Sequence, residues 1–313
     1  MPPITSLFNS LMITLALLSP NVAGAQNPAS VPLVKHTVNV DAQPLILWEK
    51  SAVNAEHAVL LVHGRTWSAL PDFDLQVPGE ELSLMDGLVE EGYAVYAIDL
   101  RGYGETPRDD SGWLTPNRAA DDVAVALQWI ADKSATKPHL FGWSMGSTVS
   151  QLSVQRHPDL AVSLTLFGYW RDVNSILPAD EGSSEPKYEP NTAQAAASDF
   201  IVPGSISAKA IDAYVEAALA ADPVRTDVHH TYQYNALDEA LIKIPTLVIA
   251  GEFDPLAAIE KQTKLYARIG TGHKQLVTVP GGDHAAFLEA PRGYFIHALV
   301  SFWQSVTPGL VQQ

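Results

Sequence analysis

The stretch from His139 to Thr148, HLFGWSMGST, constrains this chain more than any other. His139, Leu140 and Phe141 close an apolar, strand-like run; Gly142-Trp143-Ser144-Met145-Gly146 follows; and Ser147 to Arg156 carries helical character without Gly or Pro. A serine on the sharp turn between a buried strand and a helix has its hydroxyl held clear of the backbone, and glycines flank it because neighbouring chain passes too close for a β-carbon. Ser144 is therefore the candidate nucleophile. Free N–H groups and the dipole at the N-terminus of the following helix favour an anion beside it. Gly-x-Ser-x-Gly alone also suits a plain strand-to-helix turn with a polar cap. What decides between the two is whether a histidine, an acid and a second anion-binding loop reach the same place.

The flanking sequence has the matching rhythm. Val34 to Ser51 alternates and pauses at Asp41-Ala42-Gln43-Pro44, as a hairpin does. Continuous apolar runs at Ala58 to Val62, Tyr93 to Ile98, Val162 to Phe167 and Thr246 to Ala250 read as strands covered on both faces, with Gln275 to Val279 as a last strand. Helical spacing lies between them at Glu80 to Val89, Pro116 to Ala131 and Pro255 to Ile269, and a C-terminal helix is expected around Phe287 to Trp303. Strand and helix in alternation imply an α/β fold with a mostly parallel central sheet flanked by helices. The alternation breaks at 169–244, where helices are expected at Thr192 to Asp199, Ala208 to Ala221 and Tyr234 to Ile242. A segment that long is not an ordinary connection. It reads as a helical cap inserted after the strand that follows the Ser144 helix, dividing the core into 30–168 and 245–313.

Composition narrows the partners. At 313 residues and 47% hydrophobic, the chain suffices for one large core. A formal net charge of −16 leaves no surplus of Lys and Arg to displace counterions from phosphates, which excludes a nucleic-acid partner and disfavours an anionic membrane surface. A small-molecule substrate, neutral or cationic, remains. Leu11 to Leu18 is a short apolar core followed by Ala23-Gly24-Ala25, the pattern of a signal peptide over residues 1–25 cleaved after Ala25, although Met1 to Ser10 has no Lys or Arg. The expectation is a secreted or periplasmic protein with no stable membrane association after cleavage. With no cysteine, it has neither disulfides nor a lipidated thiol.

In an open parallel sheet, functional groups collect at the carboxyl ends of the strands. Here those ends deliver His63-Gly64-Arg65, Ser144, Asp254 within Gly251 to Pro255, and His284 after Gly281-Gly282-Asp283. Ser, Asp and His thus follow in that chain order.

These motifs, GWSMGS at Gly142 to Ser147, HGR at His63 to Arg65, DLRGYGET at Asp99 to Thr106, GEFDP at Gly251 to Pro255 and GGDH at Gly281 to His284, resemble those of the α/β-hydrolases over about Val34 to Trp303. The resemblance implies a Ser144–His284–Asp254 triad, an acyl-enzyme, and an oxyanion site made by the backbone N–H groups of Arg65 and Met145. It implies no metal and no organic cofactor. The favoured reading is an exported serine esterase acting on carboxylic esters. The alternatives are an aminopeptidase of the proline iminopeptidase type, whose HGGPG-like loop is HGRTW here, and a binding protein on the same scaffold, which would be expected to lack a triad member. Ser144 excludes the epoxide hydrolases and haloalkane dehalogenases, which use Asp at this turn. Glu252 competes with Asp254 as the acid, and His273 and His297 with His284 as the base. Trp67, Trp143, Tyr169 and Trp170 are candidates for the substrate pocket. His63 reads as a buried support for its loop, and Asp99 with Arg101 as a structural pair.

Overall fold

The computed structural model describes residues 31–180 and 185–307. The leader expected over 1–25 lies outside them. The hairpin forms from β1 (Val34–Val40) and β2 (Gln43–Ser51). Its turn is shorter than expected: Asp41 and Ala42 alone make it, both at positive φ (50° and 69°), while Gln43 already pairs with Val40. Two such residues match the right-handed twist of the flanking strands. Next come β3 (His57–Val62), α1 (Ala69–Phe73), α2 (Leu84–Glu90), β4 (Tyr93–Asp99), α3 (Pro116–Ser134), β5 (His139–Trp143), α4 (Met145–Arg156) and β6 (Leu164–Phe167). After α5 (Ala193–Ala197) and α6 (Ala208–Ala221), the chain ends with β7 (Thr246–Gly251), α7 (Ile259–Arg268), β8 (Lys274–Val279) and α8 (Arg292–Val306).

The eight strands form one sheet in the order β1-β2-β4-β3-β5-β6-β7-β8. β3 to β8 run parallel; β2 joins β4, and β1 joins β2, antiparallel. Two cores lie on its two faces, because successive residues of a strand point to opposite sides. In β3, Val59 and Leu61 enter the core under α1, α2 and α8, while Ala58, Leu60 and Val62 enter the one under α3, α4 and α7. This is why the central strands read as unbroken apolar runs.

Several helices are shorter than their periodicity suggests, each for a local reason. The helix expected from Glu80 starts at Leu84, because Ser83 takes the N–H of Asp86 as a cap (2.9 Å). The one expected from Pro255 starts at Ile259, since Asp254 Oδ1 accepts the N–H groups of Leu256 and Ala257 (2.8 and 2.9 Å). The C-terminal helix starts at Arg292, directly after Pro291. The helix expected over Tyr234 to Ile242 does not form. Two 3₁₀ turns, Thr231–Ala236 and Glu239–Leu241, stand there, separated by extended Leu237. Gln155 Oε1 takes the N–H of Asp238 (3.0 Å), and Asp238 Oδ1 accepts the N–H of Ala240, so side chains compete with the helical ladder.

Candidate active site

Four strand ends and the loops after them build one concavity. β5 runs into Ser144, which sits at φ 53° and ψ −116°, a conformation that non-glycine residues rarely adopt. Its N–H donates to Phe167 O at the end of β6 (2.9 Å), so the turn is pinned to the neighbouring strand. Ser144 is thereby set at the start of α4, where first-turn N–H groups such as that of Met145 have no acceptor within the helix. The turn closes only because Gly146 lacks a side chain: a Cβ there would lie 2.2 Å from Val62 O.

β7 delivers Asp254 and β8 delivers His284. His284 Nδ1 and Asp254 Oδ2 are 2.7 Å apart, with the Asp254 side chain fully buried and that of His284 nearly so. The loop carrying the imidazole is held on both sides. Trp143 Nε1 donates to His284 O (2.7 Å), and Gly168, at φ +62°, leaves room where a Cβ would stand 2.8 Å from the ring. The competing groups are elsewhere. Glu252 accepts the N–H of Gly281 (2.8 Å), and His273 and His297 are exposed. Asp254 therefore does both things its position allowed, capping the next turn with one oxygen and meeting the histidine with the other.

Ser144 and His284 line a cavity of about 600 Å³, together with Gly64, Arg65, Met145, Trp67, Trp143 and Trp170. Tyr169 is not among its walls. It is fully buried in the core under α3 and α4, so of the adjacent aromatic pair only Trp170 faces the cavity. The segment between β6 and β7 supplies Trp170, Asp199, Arg225, Val228, Thr231 and Tyr234 to the walls. It is fastened to the sheet by two carboxylates that the sequence did not single out. Asp283 Oδ2 accepts from the N–H groups of Ile201 and Val202 (2.6 and 2.8 Å), and Asp222 accepts from Ser68 and Gly104 (both 2.8 Å).

A second acidic feature of the cavity also escaped the sequence. Asp72 and Asp199 both line it, and Tyr214 OH lies 2.9 Å from Asp72 Oδ1 and 3.1 Å from Asp199 Oδ2. One hydroxyl has one proton, so both contacts are satisfied together only when one carboxyl is protonated and donates to the phenol. Burial agrees, pushing Asp72 well above the usual carboxylate range and Asp199 up to about 6.

His63 is the loop support expected of it. Nδ1 meets Gly64 O (2.8 Å) and Nε2 accepts the N–H of Leu100 (3.1 Å), which requires the neutral ring, and burial lowers its pKa to about 4. Asp99 and Arg101 do not pair with each other. Asp99 accepts from Trp48 Nε1, Ala69 N and Glu105 N, while Arg101 turns the other way and forks onto Asp122 with two 2.7 Å bonds. Three neutral donors satisfy the carboxylate without the guanidinium.

Residues 54–291 match the family described as serine aminopeptidase, S33 (Hydrolase_4). Among curated proteins, the chain is similar to the pimeloyl-[acyl-carrier protein] methyl ester esterase of Neisseria meningitidis, 29% identical over 140 residues. That match takes in 44% of this chain and 46% of the relative, so the chain spans less than half the length of the curated relative it matches. Among solved structures, esterase RhEst1 from Rhodococcus sp. ECU1013 superposes with a TM-score of 0.62 at 20% identity, covering 88% of this chain and 99% of that one. The thioesterase domain from the curacin biosynthetic pathway gives 0.62 at 17%, covering 86% and 99%. At such identities the two structures establish likeness of fold.

Proposed function

The chain belongs to the serine aminopeptidase, S33 family and is an α/β-hydrolase enzyme, and we propose that it is a serine hydrolase cleaving carboxylic esters of small or medium-sized molecules. The observation that carries this reading is the 2.7 Å contact of His284 Nδ1 with Asp254, in a cavity that Ser144 shares. With Nδ1 so engaged, Nε2 is the nitrogen left to act. It takes the proton of Ser144 Oγ as the oxygen bonds to the acyl carbon, then gives it to the departing alkoxide as the ester C–O bond breaks. Asp254 fixes the tautomer and stabilises the imidazolium. The N–H groups of Met145 and Arg65 bind the tetrahedral oxyanion. Water, deprotonated by the same nitrogen, then releases the acid from the acyl-enzyme. The scheme uses no metal and no organic cofactor.

In this reading residues 169–244 act as a cap that sets which acyl donors enter, and the protein works outside the cytoplasm after cleavage behind Ala25. N-terminal sequencing of the exported protein tests the latter. Activity is tested with p-nitrophenyl acyl esters on wild type and Ser144→Ala. A loss of about 10⁴-fold or more in kcat with the fold intact is expected, and near-normal hydrolysis by the variant would refute the assignment.

One observation favours a second reading, an aminopeptidase. Asp199, the carboxyl of the pair left ionised at neutral pH, puts negative charge in the cavity wall, where an ammonium group of the substrate would be held. Aminoacyl-anilides against neutral esters separate the two. If the second reading holds, Asp199→Asn raises KM for the aminoacyl substrate and leaves neutral esters unaffected.

A further inference from the structure

Asp180, His229 and His230 lie in the segment between β6 and β7, and the chemistry above uses none of them. Each offers one ligand atom, and the three atoms fall within 4.8 Å of one another. His229 Nδ1 is 3.1 Å from Asp180 Oδ2. A tetrahedral zinc with bonds of about 2.0–2.1 Å holds its ligand atoms about 3.3 Å apart. One edge of such a polyhedron is already at its working length.

The backbone explains how two consecutive histidines come to the same side. On an extended chain neighbouring side chains point to opposite faces. His230 instead adopts the left-handed conformation (φ 55°, ψ 38°), and the two imidazole rings stand 4.2 Å apart. For a non-glycine residue that conformation costs on the order of 1 kcal/mol or more. The neighbouring ring is fixed as well. His229 stacks on Trp113 (4.5 Å, 26°), and its N–H donates to Leu114 O (2.9 Å). Asp180 Oδ2 accepts the backbone N–H of His230, which brings the carboxylate to the rings. An ion pair between His229 and Asp180 accounts for the 3.1 Å contact, but for neither the second imidazole nor the left-handed residue that presents it.

We propose that Asp180, His229 and His230 form a binding site for one divalent transition-metal ion of the zinc type. Two imidazoles and one carboxylate suit zinc, copper or nickel, whereas magnesium and calcium take oxygen-rich sets. The bound ion joins residue 180 to the run 228–231, and Val228 and Thr231, on either side of the histidines, line the Ser144 cavity. Occupancy therefore stiffens one wall of that cavity. The site stands independently of the hydrolase reading.

The test is calorimetric titration of metal-stripped full-length protein with zinc at pH 7.5, with magnesium as the comparison. His229→Ala and His230→Asn are measured alongside, asparagine being tolerant of the left-handed backbone. Wild type is expected to take one zinc per chain and no magnesium, and each variant to bind at least about tenfold more weakly, the scale on which altered coordination tells. Zinc should raise the Tm of wild type and not that of the variants. Absence of zinc binding at millimolar concentration overturns the proposal. So does equal affinity and stoichiometry in wild type and both variants, which would assign the metal to scattered surface histidines.

Discussion

Gly146→Ala adds one methyl group at the place where the start of α4 crosses the end of β3. The new Cβ would stand 2.2 Å from Val62 O and 2.5 Å from His63 O. Ordinary non-bonded contact begins near 3.5 Å, so the two segments must part by about 1 Å. Neither obstructing atom is the tip of a flexible side chain. Both are backbone, and β3 is hydrogen-bonded to β4 on one side and β5 on the other. The strain falls on the junction that carries Ser144 and Met145 on one segment and leads to Arg65 on the other. A misplacement of that size costs a reaction about 10²-fold when the attacking oxygen and the oxyanion donors lose register. Overpacking of this kind costs about 1–3 kcal/mol of stability. The assay is kcat/KM on a short p-nitrophenyl ester with urea unfolding of the same preparations. Gly272→Ala, where a Cβ meets nothing within 4 Å, serves as the comparison and is expected within about 0.5 kcal/mol of wild type. If Gly146→Ala retains activity within about threefold and an unchanged midpoint, the close crossing is not what positions the nucleophile.

Asp254→Asn, nearly the same shape without the charge, is expected to lower kcat by about 10⁴-fold, the cost of the wrong histidine tautomer in such a triad, as steady-state kinetics would register. Asp122→Ala leaves the buried Arg101 guanidinium without its two-pronged partner, and denaturant unfolding should show about 3–5 kcal/mol lost. His63 gives a pH signature. Its folded pKa, about 4, lies below the unfolded 6.5, so between those values the unfolded chain holds a proton that the folded chain does not. The stability it contributes is complete above pH 6.5 and is lost as pH falls towards 4. The gap between wild type and His63→Gln in urea unfolding should therefore narrow by about 2 kcal/mol from pH 7.5 to pH 5. Asp99, whose burial pushes its pKa up to about 7, acts in the opposite sense, being protonated in the fold where the unfolded chain is ionised, so the pairwise difference, not the bare profile, is the readout.

Much of this architecture was legible because strands covered on both faces must be apolar throughout, and turns must break them. Ala58 to Val62 and Thr246 to Ala250 announce themselves in this way, and the rule that groups gather at strand ends then led to Asp254 and His284 without any measure of distance. Local competition among side chains was harder to read. Ser83 and Asp254 shorten helices that periodicity alone would extend, and Gln155 and Asp238 take backbone N–H groups where two 3₁₀ turns stand in place of a helix. Contacts across long separations left no signal. Asp72, Asp199 and Tyr214 meet only once the segment between β6 and β7 is folded against α1, and no spacing announces it. The Tyr169-Trp170 pair shows the same limit, since two adjacent aromatics do not tell which one enters the core. Gly168 had a trace in its position straight after a strand, where a positive φ is common, but its use against His284 depends on the distant β8 loop.

The central claim is that Ser144 is an activated nucleophile served by His284. Mass mapping of the adduct formed with a fluorophosphonate measures this directly. A single modification on Ser144, absent from Ser144→Ala and strongly slowed in His284→Ala, is the expected result. Modification of a different residue, or ester turnover by protein whose Ser144 stays unlabelled and replaceable, would contradict it.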